Sequence, residues 1–384
     1  MAGSPVTIGM VAGEPSGDLL GAHLMQALAA RLPRARFVGI GGPKMRAAGM
    51  DVLFPLEKLA VRGYVEVIKH YREIVGIRRQ LARHFAAEPP ALFIGVDAPD
   101  FNLDLELGLK RSGVPTVHYV SPSIWAWRGG RIRKIRRAVS KMLLVFPFEQ
   151  PLYERAGIPA AYVGHPLADL LAGLPGRSAM REQLRLPLAA KVVALLPGSR
   201  AGEIRQMGGL FVDTAVKIGA TVPDAVFLVP LATPETRDLF EAELYRRDLG
   251  ELRLTVLFGH AHEAMAAADV VLVASGTATL EAALLKRPMV ITYRMPRVSW
   301  WIMNARRYQP WVGLPNILAG EFLVPEFLQS QATAENLAGA VVSQLHDRDE
   351  RARLEARLGE IGRDLRQNTA ERAAQEILPL LRNS

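Results

Sequence analysis

The sequence predicts an α/β protein of two consecutive Rossmann-like domains facing a cleft. Three observations carry this. Short apolar segments rich in β-branched residues alternate with stretches of helical spacing, the pattern of βαβ units on a parallel sheet. The pattern runs once, is interrupted, and restarts. The chain has 384 residues, more than one ordinary core accommodates and suited to two.

The first strand candidate is 6–12. It is followed by 18–32, where Leu20, Leu24, Ala27, Leu28 and Leu32 recur at helical spacing. Strand candidates at 37–40, 91–96, 116–120 and 142–146 complete the first set. The second set is 191–196, 226–229, 254–257, 270–274 and 289–292. Segment 164–187, rich in Gly, Pro and Ala, reads as the connection, and the tail from Thr333 reads as charged helix. The domains are expected at 1–170, completed by a C-terminal helix over 361–384, and at 171–360.

Composition narrows the function. Hydrophobic residues make up 49% and charged residues 22%, so the chain buries enough apolar surface to fold. It has no cysteine, which rules out a disulfide scaffold, a thiolate metal site and a cysteine nucleophile. The amino end lacks the charged start and cleavage site of a signal peptide. The longest apolar runs, such as 142–148, fall far short of the ~20 residues that cross a bilayer. A net charge of +9 favours polyanions, phosphate-bearing substrates and anionic lipid among them.

Ligands of open α/β sheets bind beyond the carboxyl ends of strands, and the informative motifs fall there. Gly13-Glu14-Pro15-Ser16-Gly17-Asp18 follows the first strand and opens a helix. Its glycines, including Gly17, permit a tight turn and close approach of a ligand to the backbone. They do not follow the G-x-G-x-x-G spacing of a nicotinamide site, and a capped turn is the bland alternative. Asp97 and Asp100 follow strand 91–96. A carboxylate there can accept a proton from a substrate hydroxyl, Asp97 being nearer the strand end and Asp100 its competitor. An Asx-type turn would also use these residues. His118, Ser121, Trp125, Trp127 and Arg128 mark a third loop, sugar-facing or packed in the core; a lone histidine after a strand is more often packed or hydrogen-bonded than catalytic.

Pro197-Gly198-Ser199-Arg200 follows strand 191–196, and the Arg200 fork suits phosphate oxygens. Ser275-Gly276-Thr277-Ala278-Thr279-Leu280-Glu281 follows strand 270–274. Ser275 or Thr277 can cap the helix, and Gly276 exposes N–H groups to an anion. Glu281 lies one turn in, beside Thr277, placed for ribose hydroxyls. Capping explains the Ser and Thr but not the acid. A Walker loop is absent, and no His and carboxylate set has metal-ligand spacing, so neither a metal nor a cofactor is expected.

Three segments mix apolar and basic residues. Residues 64–85 carry a stripe through Tyr64, Val67, Ile68, Tyr71, Ile74, Val75, Leu81 and Phe85, with five basic residues among it. Residues 128–141 hold seven basic residues and no acidic one. Trp300, Trp301, Ile302 and Met303 are flanked by Arg294, Arg297, Arg306 and Arg307. The first and third suit an anionic membrane surface; a core-packed helix with a solvated basic face is the alternative for the first. A nucleic-acid-binding protein would also use such segments, but that reading leaves Glu281 without a purpose.

Taken in order, Gly13–Asp18, 96–101, 118–128, 164–166, 197–200, 275–281 and Leu314-Pro315-Asn316 resemble the lipid-A-disaccharide synthase family over nearly the whole chain. Pro15 is one departure, where many relatives would carry a smaller residue. The resemblance implies the GT-B fold. It also implies transfer of 2,3-diacylglucosamine, with inversion, from UDP-2,3-diacylglucosamine to 2,3-diacylglucosamine 1-phosphate. Asp97 would be the base, Glu14 and Asn316 active-site polar groups, Arg200 a diphosphate ligand and Glu281 the ribose ligand. It further implies a cytoplasmic enzyme peripheral on the inner face of the inner membrane, without nucleic acid, and a homodimer with exchanged C-terminal helices. Another UDP-sugar enzyme of this fold, an epimerase or a peptidoglycan transferase, is the competing reading.

Overall fold

The structure, a computed structural model, describes residues 6–59, 64–126, 129–296, 300, 301 and 308–382, with only the backbone described for 64–70 and 382. The chain divides into two compact units. One comprises Met1–Pro166 with Leu365–Ser384, the other Leu167–Asp364.

The first unit is built on seven parallel strands: β1 (Thr7–Ala12), β2 (Arg36–Gly41), β3 (Met50–Pro55), β4 (Leu92–Val96), β5 (Thr116–Tyr119), β6 (Lys141–Leu144) and β7 (Ala160–Tyr162). Their order is β3-β2-β1-β4-β5-β6-β7. Central strands of such a sheet are covered on both faces and read as continuous apolar runs. Thus β4, Leu-Phe-Ile-Gly-Val, is buried throughout. Helices Tyr64–Ala87 and Pro99–Arg111 cover one face around Val11, Ile40, Leu81, Phe85, Phe93 and Leu105. Each such side chain contributes about 1.5–3 kcal/mol on burial.

The second unit repeats the plan with β8 (Lys191–Leu196), β9 (Ala225–Leu231), β10 (Arg253–Phe258), β11 (Val270–Ala274), β12 (Met289–Tyr293) and β13 (Glu326–Leu328). The order is β10-β9-β8-β11-β12-β13, again all parallel. In each sheet the order reverses once, between β1 and β4 and between β8 and β11. In open α/β sheets ligands bind beyond the strand ends at such a reversal. The four motifs after residues 12, 96, 196 and 274 all leave these four strands.

The ten predicted strands are all present, and three more appear. β3 carries Asp51 and Pro55 and is mostly half-exposed; β7 and β13 have three residues each, none fully buried. These are edge or near-edge strands, too short or too polar to show a period, and only pairing with a neighbour defines them.

Residues 164–187 are not merely a connection. They contain helices Pro166–Leu171 and Arg177–Gln183. Gly164, at φ +92°, lies where the chain crosses its own tail. A Cβ there would stand 2.4 Å from Cβ of Gln367, and the His165 N–H donates to the Leu365 carbonyl at 2.8 Å. The tail then forms helix Thr369–Arg382, which packs on helix Pro15–Arg31 and pairs Glu371 with Arg31 and Glu376 with Lys141.

The stripe predicted over 64–85 lies on helix Tyr64–Ala87. Its second half is core: Ile77, Leu81 and Phe85 are buried, and Phe85 meets Phe93 edge-on at 5.8 Å. Tyr71 is 60% exposed. The side chains of Tyr64, Val67 and Ile68 lie outside the described residues, as do Trp127, Arg128, Arg297, Ile302, Met303, Arg306 and Arg307. No described helix is long and apolar enough to cross a membrane.

Candidate active site

In the first unit, the loops after β1 and β4 touch. A Cβ on Gly13 would lie 2.4 Å from that of Ala98, so only glycine lets them approach. Glu14 takes the N-cap position of helix Pro15–Arg31 in extended conformation and is exposed. Gly17 is buried against Ala12 and the Val96 carbonyl. The Gly17 backbone thus sits at the strand ends, beside Val96. Asp18 accepts the N–H groups of Gly42, Lys44 and Met45 at 2.8, 2.9 and 3.0 Å, which holds the next βα turn.

Asp97 and Ala98 both adopt left-handed conformations, with φ of 52° and 44°. For non-glycine residues this costs about 1–3 kcal/mol each. The strain is held from three sides. The Asp97 N–H donates to the Tyr119 carbonyl at 2.8 Å, Nδ2 of Asn102 donates to the Asp97 carbonyl at 2.8 Å, and the N–H groups of Phe101 and Asn102 both reach the Ala98 carbonyl. The Asp97 side chain is half-buried. Burial raises its carboxyl above the usual range, with the charge of His118 and the Ala98 N–H pulling part of the way back. Asp100 sits differently: its side chain is 82% exposed and pairs with Arg131.

Behind Asp97 lie two residues with no exposure at all. Nδ1 of His118 is 2.7 Å from Oε1 of Glu106. Glu106 passes unnoticed in the sequence because it sits among the leucines of a helix, and His118 looks like a packed residue. Further along the sheet edge, Trp125 meets Phe148 at 5.1 Å and Phe146 at 6.5 Å, both edge-on. Phe146 also stacks on Phe148 and lies 5.2 Å from the His165 ring. The buried Glu149 beneath them is pushed up to about 8 by burial, against hydrogen bonds from Ser121, the Phe146 and Val145 backbone and Trp125.

In the second unit, the ends of β8, β9, β11 and β12 enclose a recess of about 460 Å³. Arg200, Ser275, Gly276, Thr277 and Glu281 line it together with Glu203 and Tyr293. Gly198 turns the chain at φ +135°, where a Cβ would lie 2.5 Å from Cβ of Glu203. Oε2 of Glu203 accepts the N–H of Ser199 at 2.8 Å and of Arg200 at 3.3 Å. The backbone is thereby fixed while the Arg200 side chain stays 67% exposed.

Neither Ser275 nor Thr277 caps helix Thr277–Leu284. The N-cap is Gly276, which makes no side-chain hydrogen bond, and a Cβ on it would meet nothing within 4 Å. The Thr279 N–H reaches the Gly276 carbonyl at 3.2 Å, and Thr277 and Ala278 at the helix start line the recess, with the favourable end of the helix dipole behind them. Oε2 of Glu281 is engaged by Nε2 of His262 at 3.1 Å. That hydrogen bond raises the His262 pKa, burial opposing it and the charges of Glu281 and Glu263 assisting. His262 and Tyr293 carry no sequence signal; the sheet alone brings them here.

Asn316 is fully buried. Its Nδ2 donates to the Val324 carbonyl at 2.9 Å and to Oε1 of Glu326 at 2.8 Å, and its Oδ1 accepts the N–H groups of Leu323 and Val324 at 2.9 and 2.8 Å. Two donors and two lone pairs exhaust a carboxamide. Expected as an active-site polar group, it has no capacity left for a ligand and acts on the loop around β13. Trp301 is 73% exposed and Trp300 half-buried.

A family model described as lipid-A-disaccharide synthetase matches residues 8–378. A lipid-A-disaccharide synthase of Aromatoleum aromaticum is 57% identical over 377 residues, covering 98% of this chain and 96% of the relative. One of Dechloromonas aromatica is 56% identical over 380 residues, covering 99% and 100%. Among solved structures, Acinetobacter baumannii MurG superposes with a TM-score of 0.61 at 14% identity, covering 98% of this chain and 100% of that one. A UDP-GlcNAc 2-epimerase of Neisseria meningitidis bound to UDP-GlcNAc gives 0.60 at 12%, covering 99% of each. At such identities the structural likeness speaks for the fold alone, which is GT-B. From the full-length family match and the identity to these relatives, this chain belongs to the lipid-A-disaccharide synthase family.

Proposed function

We propose that this chain transfers 2,3-diacylglucosamine from UDP-2,3-diacylglucosamine to 2,3-diacylglucosamine 1-phosphate, with inversion, giving the β-1,6-linked disaccharide 1-phosphate of lipid A and UDP. The observation that carries the reading is the recess of the second unit, where an uncapped helix start, an exposed arginine and a carboxylate one turn into the helix line one cavity. That set matches a nucleoside diphosphate. The N–H groups of the first turn and Arg200 take the diphosphate oxygens, and Glu281 takes the ribose hydroxyls.

Inversion needs a single displacement. The acceptor hydroxyl oxygen attacks the anomeric carbon, the bond from that carbon to the diphosphate breaks, and a base removes the proton. Asp97 is the base. Its raised pKa brings it nearer the working pH, which favours proton transfer, and its strained backbone is held by dedicated hydrogen bonds. Asp100, exposed and paired with Arg131, suits the role less well. Glu14 is a further polar contact for the acceptor, and Asn316 is a positioning residue. The diphosphate charge is met by Arg200 and the helix start.

Both substrates carry acyl chains, so the enzyme works against an anionic bilayer, docked through the helix bearing Val67 and Ile68 and the segment bearing Trp300 and Trp301, on the inner face of the inner membrane. Sedimentation with anionic vesicles at low salt measures this, and a protein left in the supernatant contradicts it. A homodimer that exchanges the C-terminal helices belongs to the same reading; a monomer by light scattering removes it.

The test of the reaction is a transfer assay with radiolabelled donor and acylated acceptor, followed by mass spectrometry of the product. A disaccharide 1-phosphate is expected from wild type. Asp97→Asn should lower turnover ~10²–10⁴-fold with UDP affinity unchanged. Turnover of UDP-N-acetylglucosamine in place of the acylated donor would reassign the chain to another UDP-sugar reaction.

A further inference from the structure

We propose that Glu106 and His118 form a buried ion pair that acts as a positioning device for Asp97, presenting a fixed positive charge behind its carboxylate. The inference rests on the reading of Asp97 as the base.

Strand register sets the arrangement. In the β4–β5 pair, Gly95 lies opposite His118 and Val96 opposite Tyr119. Asp97 comes just past the last pair, and its N–H donates to the Tyr119 carbonyl at 2.8 Å, one residue from His118. The two titratable groups are thus brought near each other at the ends of adjacent strands. Gly95 supplies the room: a Cβ on it would stand 2.1 Å from Oε1 of Glu106. A glycine in the middle of a buried strand weakens the strand, and here its absent side chain is the space the pair occupies.

The pair is costly where it stands. Both side chains have no exposure, and Oε2 of Glu106 and Nε2 of His118 make no hydrogen bond among the described residues. A buried ion pair can often be replaced by apolar residues of similar volume without loss of stability. Stability alone therefore does not account for its place in the core. Burial acts against a charge on His118, but the charge of Glu106, its hydrogen bond and the charge of Asp97 together prevail, and the imidazole is held protonated above its usual range. The groups that act on Asp97 in this pocket are His118 and the Ala98 N–H. The charge of His118 thus bears on Asp97. It offsets the desolvation of Asp97, so that the carboxylate stays ionised and able to take a proton while remaining half-buried.

The test uses the full-length enzyme in the transfer assay, with His118→Gln and Glu106→Gln followed across pH. In wild type the acid limb of kcat reports ionisation of Asp97. Loss of the cation raises the Asp97 pKa further, so the limb moves to higher pH. A shift of about one unit gives about a tenfold loss of turnover on the acid side, recovered at high pH, with KM for the donor unchanged. Glu106→Gln should shift the limb the same way, because the imidazole loses its anion. A uniform loss at every pH, or an unmoved limb in both variants, overturns the proposal. Asp97→Asn separates the two layers. If it retains wild-type turnover, the base reading falls and this inference with it. If it is inactive while both pair variants keep the wild-type profile, only the pair is refuted. Should the variants fail to fold, ¹⁵N spectra of histidine-labelled wild type decide: a non-titrating imidazolium at neutral pH is expected, and eight rings that all become neutral there would refute it.

Discussion

Nε2 of His262 stands 3.1 Å from Oε2 of Glu281, joining helix Ala261–Ala267 to the helix whose first turn opens on the recess. The contact occupies one carboxylate oxygen and leaves the other for a ligand. His262→Ala should therefore weaken UDP binding by about tenfold, the scale of one hydrogen bond to a charged group, without unfolding the unit. The raised pKa gives the sign of the pH effect. The stabilisation from this pair is full below the ordinary histidine value of 6.5 and is lost as pH rises through the folded value. Calorimetric titration of UDP checks the affinity, and an unchanged Kd would detach His262 from the site.

Arg200 makes its case by exposure. Its backbone is tied to Glu203, and its guanidinium, 67% exposed, lines the recess 3.7 Å from Oε1 of Glu203. Arg200→Ala should lower UDP affinity by about 10–100-fold and leave the melting temperature within a degree or two, since a surface substitution changes little else. Arg200→Lys should recover only part, because a point charge replaces a bidentate fork.

For Asn316 the expected loss is of stability. Truncation to Ala strands the N–H groups of Leu323 and Val324 in a buried loop, each worth about 1–3 kcal/mol. Urea unfolding of Asn316→Ala should thus lose on the order of 2–6 kcal/mol, with any fall in turnover following the loss of folded protein. Unchanged stability with abolished turnover would restore Asn316 to direct contact with substrate.

Glu149 predicts a pH dependence of folding. Its carboxyl is held neutral in the aromatic cluster up to about 8, against 4.5 for an unhindered glutamate. A raised folded pKa contributes stability that is complete below the unfolded value and is lost as pH rises through the folded one. Wild type should therefore lose stability between pH 4.5 and about 8. Glu149→Gln, which keeps the shape and cannot ionise, should flatten that slope. Equal slopes in the two proteins, measured by denaturant unfolding, would contradict the buried neutral acid.

The central strands were legible because a strand covered on both faces must be apolar along its whole length, as in β4 and β11. The placement of Asp97, Arg200 and Glu281 beyond strand ends was legible for a related reason, since each follows such an apolar run. The outer strands β3, β7 and β13 were not, because edges owe their form to a neighbour rather than to their own composition. Capping by Ser275 or Thr277 was a fair expectation from residue type, and backbone geometry at Gly276 decided against it.

What the sequence determined by itself was therefore the order of elements and the chemistry at strand ends, both local consequences of burial and chain geometry. Tertiary structure alone decided which polar residues work on the protein and which are left for a ligand. Asn316 spends every bond on its own loop, and His118, Glu106 and His262 acquire partners 12 and 19 residues away along the chain. Hydrogen bonding saturates, and no local pattern records which distant group has already claimed a donor or a lone pair.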